Sequence, residues 1–230
     1  MSLVSCEHEL ALGYIKIEDD YTNSVLQLAG YSGITDENYA HMCVHSIFQE
    51  CLEQYSLLSA ENAYNYAYGF LTKPYAAGEA IIATDAEYSC WYAFNVLRGR
   101  FELGEPVIAT NAEYSFRYAR NVLKGRFELG EATISTEPVF SYYYARDILK
   151  GRFEIAEPVI SQNIDYGFRY ASDVLKGRFE LGEELFSTNS FYSYQYARNV
   201  LKGRFELGEP AIATDADYAN SYYKLTGIRL

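Results

Sequence analysis

The sequence predicts an all-α protein: an α-solenoid of tandem 26-residue repeats, each a long helix, a turn and a short helix, with a distinct acidic amino-terminal cap. Three observations predict it. The string Gly125-Arg126-Phe127-Glu128-Leu129-Gly130-Glu131 recurs, intact or nearly so, from Gly99, Gly151, Gly177 and Gly203, a constant step of 26 residues. Fixed periods of 20–50 residues mark stacked repeats that bury their apolar faces only against neighbours. An amphipathic stretch of about fourteen residues, roughly 20 Å as a helix, precedes each string. Helix-start signals precede that stretch in turn.

Residues 1–59 are read as an acidic, mainly helical amino-terminal cap region, of which residues 1–34 are the least patterned. Alternation over Leu12 to Ile17 suggests a strand, and Thr22 could cap a short helix through Leu28. Thr35-Asp36-Glu37 is a good helix start, with acids in the first turn, for a helix running to about Tyr55. Residues 60–230 hold about six repeats, the first and last degenerate. In the first, Lys73-Pro74-Tyr75 stands where later copies have Gly-Arg-Phe.

One full copy can be followed residue by residue. Thr110-Asn111-Ala112-Glu113 reads as a capping box, repeated at Thr84 and, with a shorter acid, at Thr214. Pro138 falls in the first turn of its helix, where its missing amide does no harm. Tyr114, Tyr118, Ala119, Val122 and Leu123 share one face, with small Ser115 at its centre. Gly125 is expected to supply a left-handed helix end. Phe127 and Leu129 are then expected to turn inward, and Gly130-Glu131 to open the short helix.

Charge and composition exclude several functions. The chain carries a net charge of -12, of which residues 1–60, with nine acids and only Lys16 as a base, contribute -8. The repeats are close to neutral, which argues against general nucleic-acid binding, since that needs a basic field. With 24 Tyr and 13 Phe the chain has ample apolar material for a continuous core. No apolar run approaches a membrane span, and no basic segment with an apolar stretch opens the chain, so the expected setting is cytoplasmic, with Cys6, Cys43, Cys51 and Cys90 all free.

Catalytic patterns are lacking. No histidine lies beyond His45, and neither a phosphate loop nor a dinucleotide fingerprint is present, so no enzymatic activity and no cofactor are expected. His41 and His45 lie on one helical face, which suits a metal, yet Cys43 points elsewhere and no CxxC pair exists; no metal is assigned.

The variable face of the repeats carries the candidate binding residues. Its outward positions include Trp91, Phe94, Arg117, Arg120, Tyr143, Arg146, Arg169 and Arg198, beside an edge row of Cys90, Phe116, Tyr142, Phe168 and Tyr194. An aromatic four residues before an Arg permits cation–π contact at Phe116–Arg120, Tyr142–Arg146 and Tyr194–Arg198. Aromatic and Arg residues also anchor protein interfaces. The competing reading is structural: Glu113–Arg117 and Asp165–Arg169 have the spacing of ordinary helix ion pairs, and the edge row could pack on the next repeat. The turn arginines Arg100, Arg126, Arg152, Arg178 and Arg204 are read as partners of a turn glutamate rather than as an anion ladder.

The phrase from Tyr118 to Glu131, Tyr-Ala-x-x-Val-Leu-Lys-Gly-Arg-Phe-Glu-x-Gly-Glu, resembles a short helical repeat of uncharacterised proteins from tailed bacteriophages and large viruses. The resemblance covers about residues 60–223 and implies a viral protein made in a host cytoplasm; it brings no activity and no catalytic residues. The expected function is non-enzymatic capture or inhibition of a host bacterial protein through the repeat surface. A small-molecule or nucleotide sponge and an acidic nucleic-acid mimic are the alternatives.

Overall fold

The computed structural model describes residues 52–230, all-helical with no strand among them. The expectations for a strand at 12–17, for the helix start at Thr35 and for the group of His41, Cys43, His45 and Cys51 lie outside the described residues. Residues 52–56 are helical, and Ser59–Leu230 forms one compact unit.

In that unit long and short helices alternate in a repeated arrangement. The third long helix is typical: Ala112–Tyr118 is α-helical and continues without a break as a wider π-helix, Ala119–Leu123. The same change falls at Tyr66, Tyr92, Tyr144, Tyr170 and Tyr196. Short helices follow, such as Glu128–Ile134 and Glu180–Phe186, and Ala216–Thr226 closes the chain.

The helix ends depart from the sequence expectation in an instructive way. The left-handed residue is not the glycine but the one before it: Arg98, Lys124, Lys150, Lys176 and Lys202 have φ between 51° and 54°, and Thr72 takes the same place in the first copy. The cause is the widened turn. The Lys124 amide donates to Ala119, closing the π turn, and the Gly125 amide donates to the same carbonyl at 3.1 Å. One carbonyl thus satisfies two amides, and the lysine absorbs the backbone strain. A Cβ at Gly125 would meet only the Leu123 carbonyl oxygen at 3.8 Å, an ordinary contact.

The capping boxes are also redistributed. Asn111, not Thr110, caps the long helix, its Oδ1 accepting from the Tyr114 amide at 3.1 Å. Asp85, Asn163, Asn189 and Asp215 do the same elsewhere. Thr110 instead turns back and donates to the Val107 carbonyl at 2.7 Å, closing the short helix before it. Each Thr-Asx pair therefore ends one helix and begins the next. The short helices start a turn earlier than expected, at Glu102 or Glu128 rather than at Gly-Glu.

Two buried devices join the elements. Ser115, on the face that meets the short helix, donates to the Ile108 carbonyl at 2.9 Å, and Ser89, Ser141 and Ser193 repeat the bond. The second is a four-part node. The Tyr118 hydroxyl, at the end of a fully buried ring, accepts from the Phe101 amide at 2.9 Å and donates to Glu105 Oε1 at 2.9 Å. Arg100 clamps the same carboxylate through Nε at 2.6 Å and a terminal nitrogen at 2.9 Å. Equivalent nodes centre on Tyr144, Tyr170, Tyr196 and Tyr222. The arginines thus pair with the second glutamate of the turn, as the structural reading expected. At Tyr92 the node lacks its cation, because Pro74 stands where the arginine would be.

One copy breaks the serine pattern. Gly167 occupies that position, and a Cβ there would lie 3.2 Å from Phe186, the aromatic that replaces the isoleucine of every other short helix (Ile82, Ile108, Ile134, Ile160, Ile212). The missing side chain and the larger ring are complementary in volume, as tight packing requires.

This packing can be tested at the helix end, at Gly167 and at the node. Lys124→Gly relieves left-handed strain and should raise stability by up to about 1 kcal/mol, a few degrees in Tm, while Gly125→Ala should change it by less than about 0.5 kcal/mol; a strong loss with Gly125→Ala would contradict this account of the helix end. Gly167→Ser should cost about 1–3 kcal/mol by pressing on Phe186, and most of that loss should disappear when the serine is added to Phe186→Ile, as a double-mutant cycle in urea would read. Tyr144→Phe should cost about 1–3 kcal/mol, since it orphans the buried Phe127 amide. The guanidinium clamp, then the phenol, hold the carboxyls of Glu105, Glu131 and Glu209 below their ordinary range despite burial. A carboxyl with a lowered folded pKa stabilises above its unfolded value and loses that contribution as pH falls through the folded one. Stability should therefore decline as pH drops below about 4.5, and Glu105→Gln with Glu131→Gln should flatten that slope.

Candidate binding surfaces

The long helices present their first, α-helical half to the next copy through an aromatic seam. Phe116, Tyr142 and Tyr194 of the edge row are buried there, as is Cys90, and Phe168 is half-buried. Their rings meet those of the following copy: Phe116 with Phe140 at 6.1 Å, Tyr142 with Tyr166 at 5.8 Å, Phe168 with Tyr192 at 5.8 Å and Tyr194 with Tyr218 at 5.4 Å. Of the two readings of this row, packing on the next repeat is the one the structure displays. Phe116, Tyr142 and Tyr194 are corrected accordingly: the adjacent helix covers what a wheel drawn for one helix shows as an edge.

Polar bonds reinforce the seam. The Tyr142 hydroxyl donates to Asp173 Oδ2 at 2.6 Å, and Asn95 Nδ2 donates to the Tyr64 hydroxyl at 2.8 Å, both across a separation of 31 residues. Burial, and then the Asp173 carboxylate, push the Tyr142 hydroxyl above its ordinary range, against the opposing pull of Arg146. Burial likewise pushes the Cys90 thiol up to about 12, so it is held as an unreactive thiol.

The remaining candidates divide between committed and uncommitted side chains. Arg117 pairs with Glu113 at 2.6 Å and Arg169 with Asp165 at 3.2 Å, the i,i+4 pairs expected. Arg146 lies over the rings of Tyr142 and Tyr143, at 5.2 and 4.8 Å, and also pairs with Asp147 at 2.7 Å. Arg120 lies over Phe116 at 5.9 Å, as expected, whereas Arg198 makes no such contact with Tyr194 among the described residues. Half-buried Trp91 packs against Tyr64 and Tyr88, and half-buried Tyr143 sits among Phe116, Tyr142 and Tyr166. Phe94 remains exposed.

A second surface escaped the sequence reading. Leu103, Leu129, Ile155, Leu181 and Leu207 are 52% to 60% exposed, one per copy at the same register. Phe127 does turn inward as expected, but Leu129 does not. The reason is the earlier start of the short helix: at about 100° per residue, two helical positions point nearly opposite ways, whereas the expectation treated Phe-x-Leu as extended alternation. Each aliphatic follows an exposed acid, namely Glu102, Glu128, Glu154, Glu180 or Glu206.

Among the described residues no group of histidine, cysteine and acidic side chains could hold a metal, and no helix is long and apolar enough to cross a membrane. Comparison with protein-family models, with curated proteins and with solved structures finds no match for this chain.

Proposed function

We propose that the chain is a non-enzymatic binding protein, an α-solenoid of 26-residue repeats that captures a protein of the host cell through its row of Glu-aliphatic pairs. The exposed row at Leu103, Leu129, Ile155, Leu181 and Leu207 carries this reading. Folding does not require it, because each inward contact of the short helix is already made by Phe101, Ile108 and their counterparts. Apolar side chains held repeatedly in solvent mark interaction surfaces. The adjacent glutamates give the row an acidic rim, so the partner presents an apolar strip bordered by lysine or arginine.

The buried nodes supply the rigidity such a surface needs: a preordered row loses little conformational entropy on binding. The likeness of the repeat to those of phage and large-virus proteins supports a partner from a bacterial host. Arg120, Arg198 and Phe94, which the packing leaves exposed, lie outside this row and form a separate surface.

The test compares variants in affinity capture from bacterial lysate. Leu103→Lys, Leu129→Lys and Leu181→Lys together should reduce retention of the captured protein at least tenfold while Tm moves by only a few degrees, since exposed substitutions are nearly neutral for folding. Arg120→Ala with Arg198→Ala should leave retention intact. Undiminished retention by the triple lysine variant would move the binding site off this row.

A further inference from the structure

The repeat serves as its own internal control, and at one junction two of its positions depart from the pattern together, beside a cation that every full copy keeps. Tyr68 and Phe94 occupy the same place in successive copies, a place taken afterwards by Arg120, Arg146, Ser172 and Arg198. One residue further on, Asn95 and Asn121 precede Asp147 and Asp173. The helix-ending cations Arg98 and Lys124 stand three residues beyond those asparagines, both exposed and left-handed. These six side chains line a single open cleft of about 310 Å³ between the π-helical halves of consecutive long helices.

The chemistry of the cleft is unlike that of the chain around it. The protein has 31 acids and 19 bases, yet the cleft is lined by two cations and no acid. Neither Arg98 nor Lys124 forms an ion pair among the described residues. The corresponding positions of the later junctions include Asp147, Asp173 or both, and lack an aromatic at the place of Phe94. The Phe94 ring is 51% exposed and stacks on no other ring among the described residues, whereas Tyr68 is held in place by stacking on Tyr64 at 5.6 Å with the planes 6° apart. Asn95 gives an amide hydrogen to Tyr64, which orients its oxygen as a fixed acceptor.

We propose that this cleft binds a small planar anion, an aryl or nucleoside monophosphate, with the ring against Phe94 and Tyr68 and the phosphate between Arg98 and Lys124. The volume lies at the lower end of small-ligand sites and suits one ring-bearing anion rather than an extended chain. Aromatic faces accept any planar ring, and paired cations in a cleft without competing carboxylates favour phosphate. The amides of the helix end are already taken by the Ala93 carbonyl, so the side chains alone hold the anion. The two asparagines keep the lining polar but neutral; an aspartate at either place would repel the ligand.

The experiment is calorimetry on the full chain with AMP, CMP and phenyl phosphate, against adenosine and inorganic phosphate as half-ligands, at low and physiological salt. At least one of the three phosphates should bind saturably at millimolar or tighter affinity, about tenfold or more better than either half-ligand, and weaken as salt rises. Phe94→Ser, Lys124→Ala and Asn121→Asp should each weaken that binding about tenfold without changing Tm by more than a few degrees. Lys202→Ala, the matching change at the last junction, should leave it unaltered. Silence from all three phosphates at about 5 mM would overturn the proposal, as would binding that is indifferent to Phe94→Ser and Asn121→Asp.

Discussion

The phenolic hydroxyl at the end of a buried ring is the interaction on which the repeated arrangement depends. Tyr118 and its counterparts reach from the long helix of one copy to the turn before the preceding short helix, and there each hydroxyl both donates and accepts. A phenylalanine could fill the same volume but would leave an amide and a carboxylate without their partner. A serine or threonine could not reach. The carboxylate in turn is kept ionised by the arginine, so one tyrosine, one glutamate, one arginine and one backbone amide stand or fall together. The first copy shows how the node adapts: without the arginine, Glu79 keeps the Tyr92 hydroxyl at 2.9 Å, and that hydroxyl is pushed up to about 12 by burial first.

The widened helix ends make this reach possible at a cost that is confined to one residue per copy. Residues in left-handed conformation other than glycine are strained by roughly 1–2 kcal/mol. In the five full copies the strain sits on solvent-facing Arg98 and four lysines, where no packing is disturbed, and the carbonyl of a fully buried alanine collects both of the amides that follow. The same geometry sets the cations of two successive helix ends, Arg98 and Lys124, beside the cleft at Phe94. Backbone strain and surface chemistry are thus coupled through one position.

Much of this was legible in the sequence because it repeats. The 26-residue step, the two-helix unit, the inward Phe127, the small Ser115 and the pairing of turn arginines with glutamate all followed from residue type and spacing. What was not legible depended on geometry that residue type does not carry. Nothing in Tyr-Ala-x-x-Val-Leu announces a π turn, so the left-handed residue was assigned to Gly125, the usual choice, rather than to Lys124. Threonine and asparagine are both good caps, and only the orphan carbonyl of the preceding helix decides which does what. Leu129 reads as inward only if the short helix begins at Gly130, later than its start at Glu128. The edge row was divided between two readings because its cover comes from a neighbouring copy. The cleft at Phe94 is visible in part, as an aromatic among arginines, but its partner Tyr68 lies in the copy whose Lys73-Pro74-Tyr75 turn departs from the repeat.

The spans over which the joining bonds act have a consequence for how such a chain can change. The node is closed by residues 5, 13 and 17 positions apart, as between Arg100, Glu105, Phe101 and Tyr118, and the seam reaches no further than the adjoining copy. A stretch of 26 residues therefore holds every partner of its own node, and needs the adjoining copy for its seam. Its exposed positions are then free to drift one junction at a time. The Gly167 that stands for serine beside Phe186, and the acid-free cleft at Phe94 beside junctions that carry Asp147 or Asp173, are local departures that the bonds between neighbours tolerate.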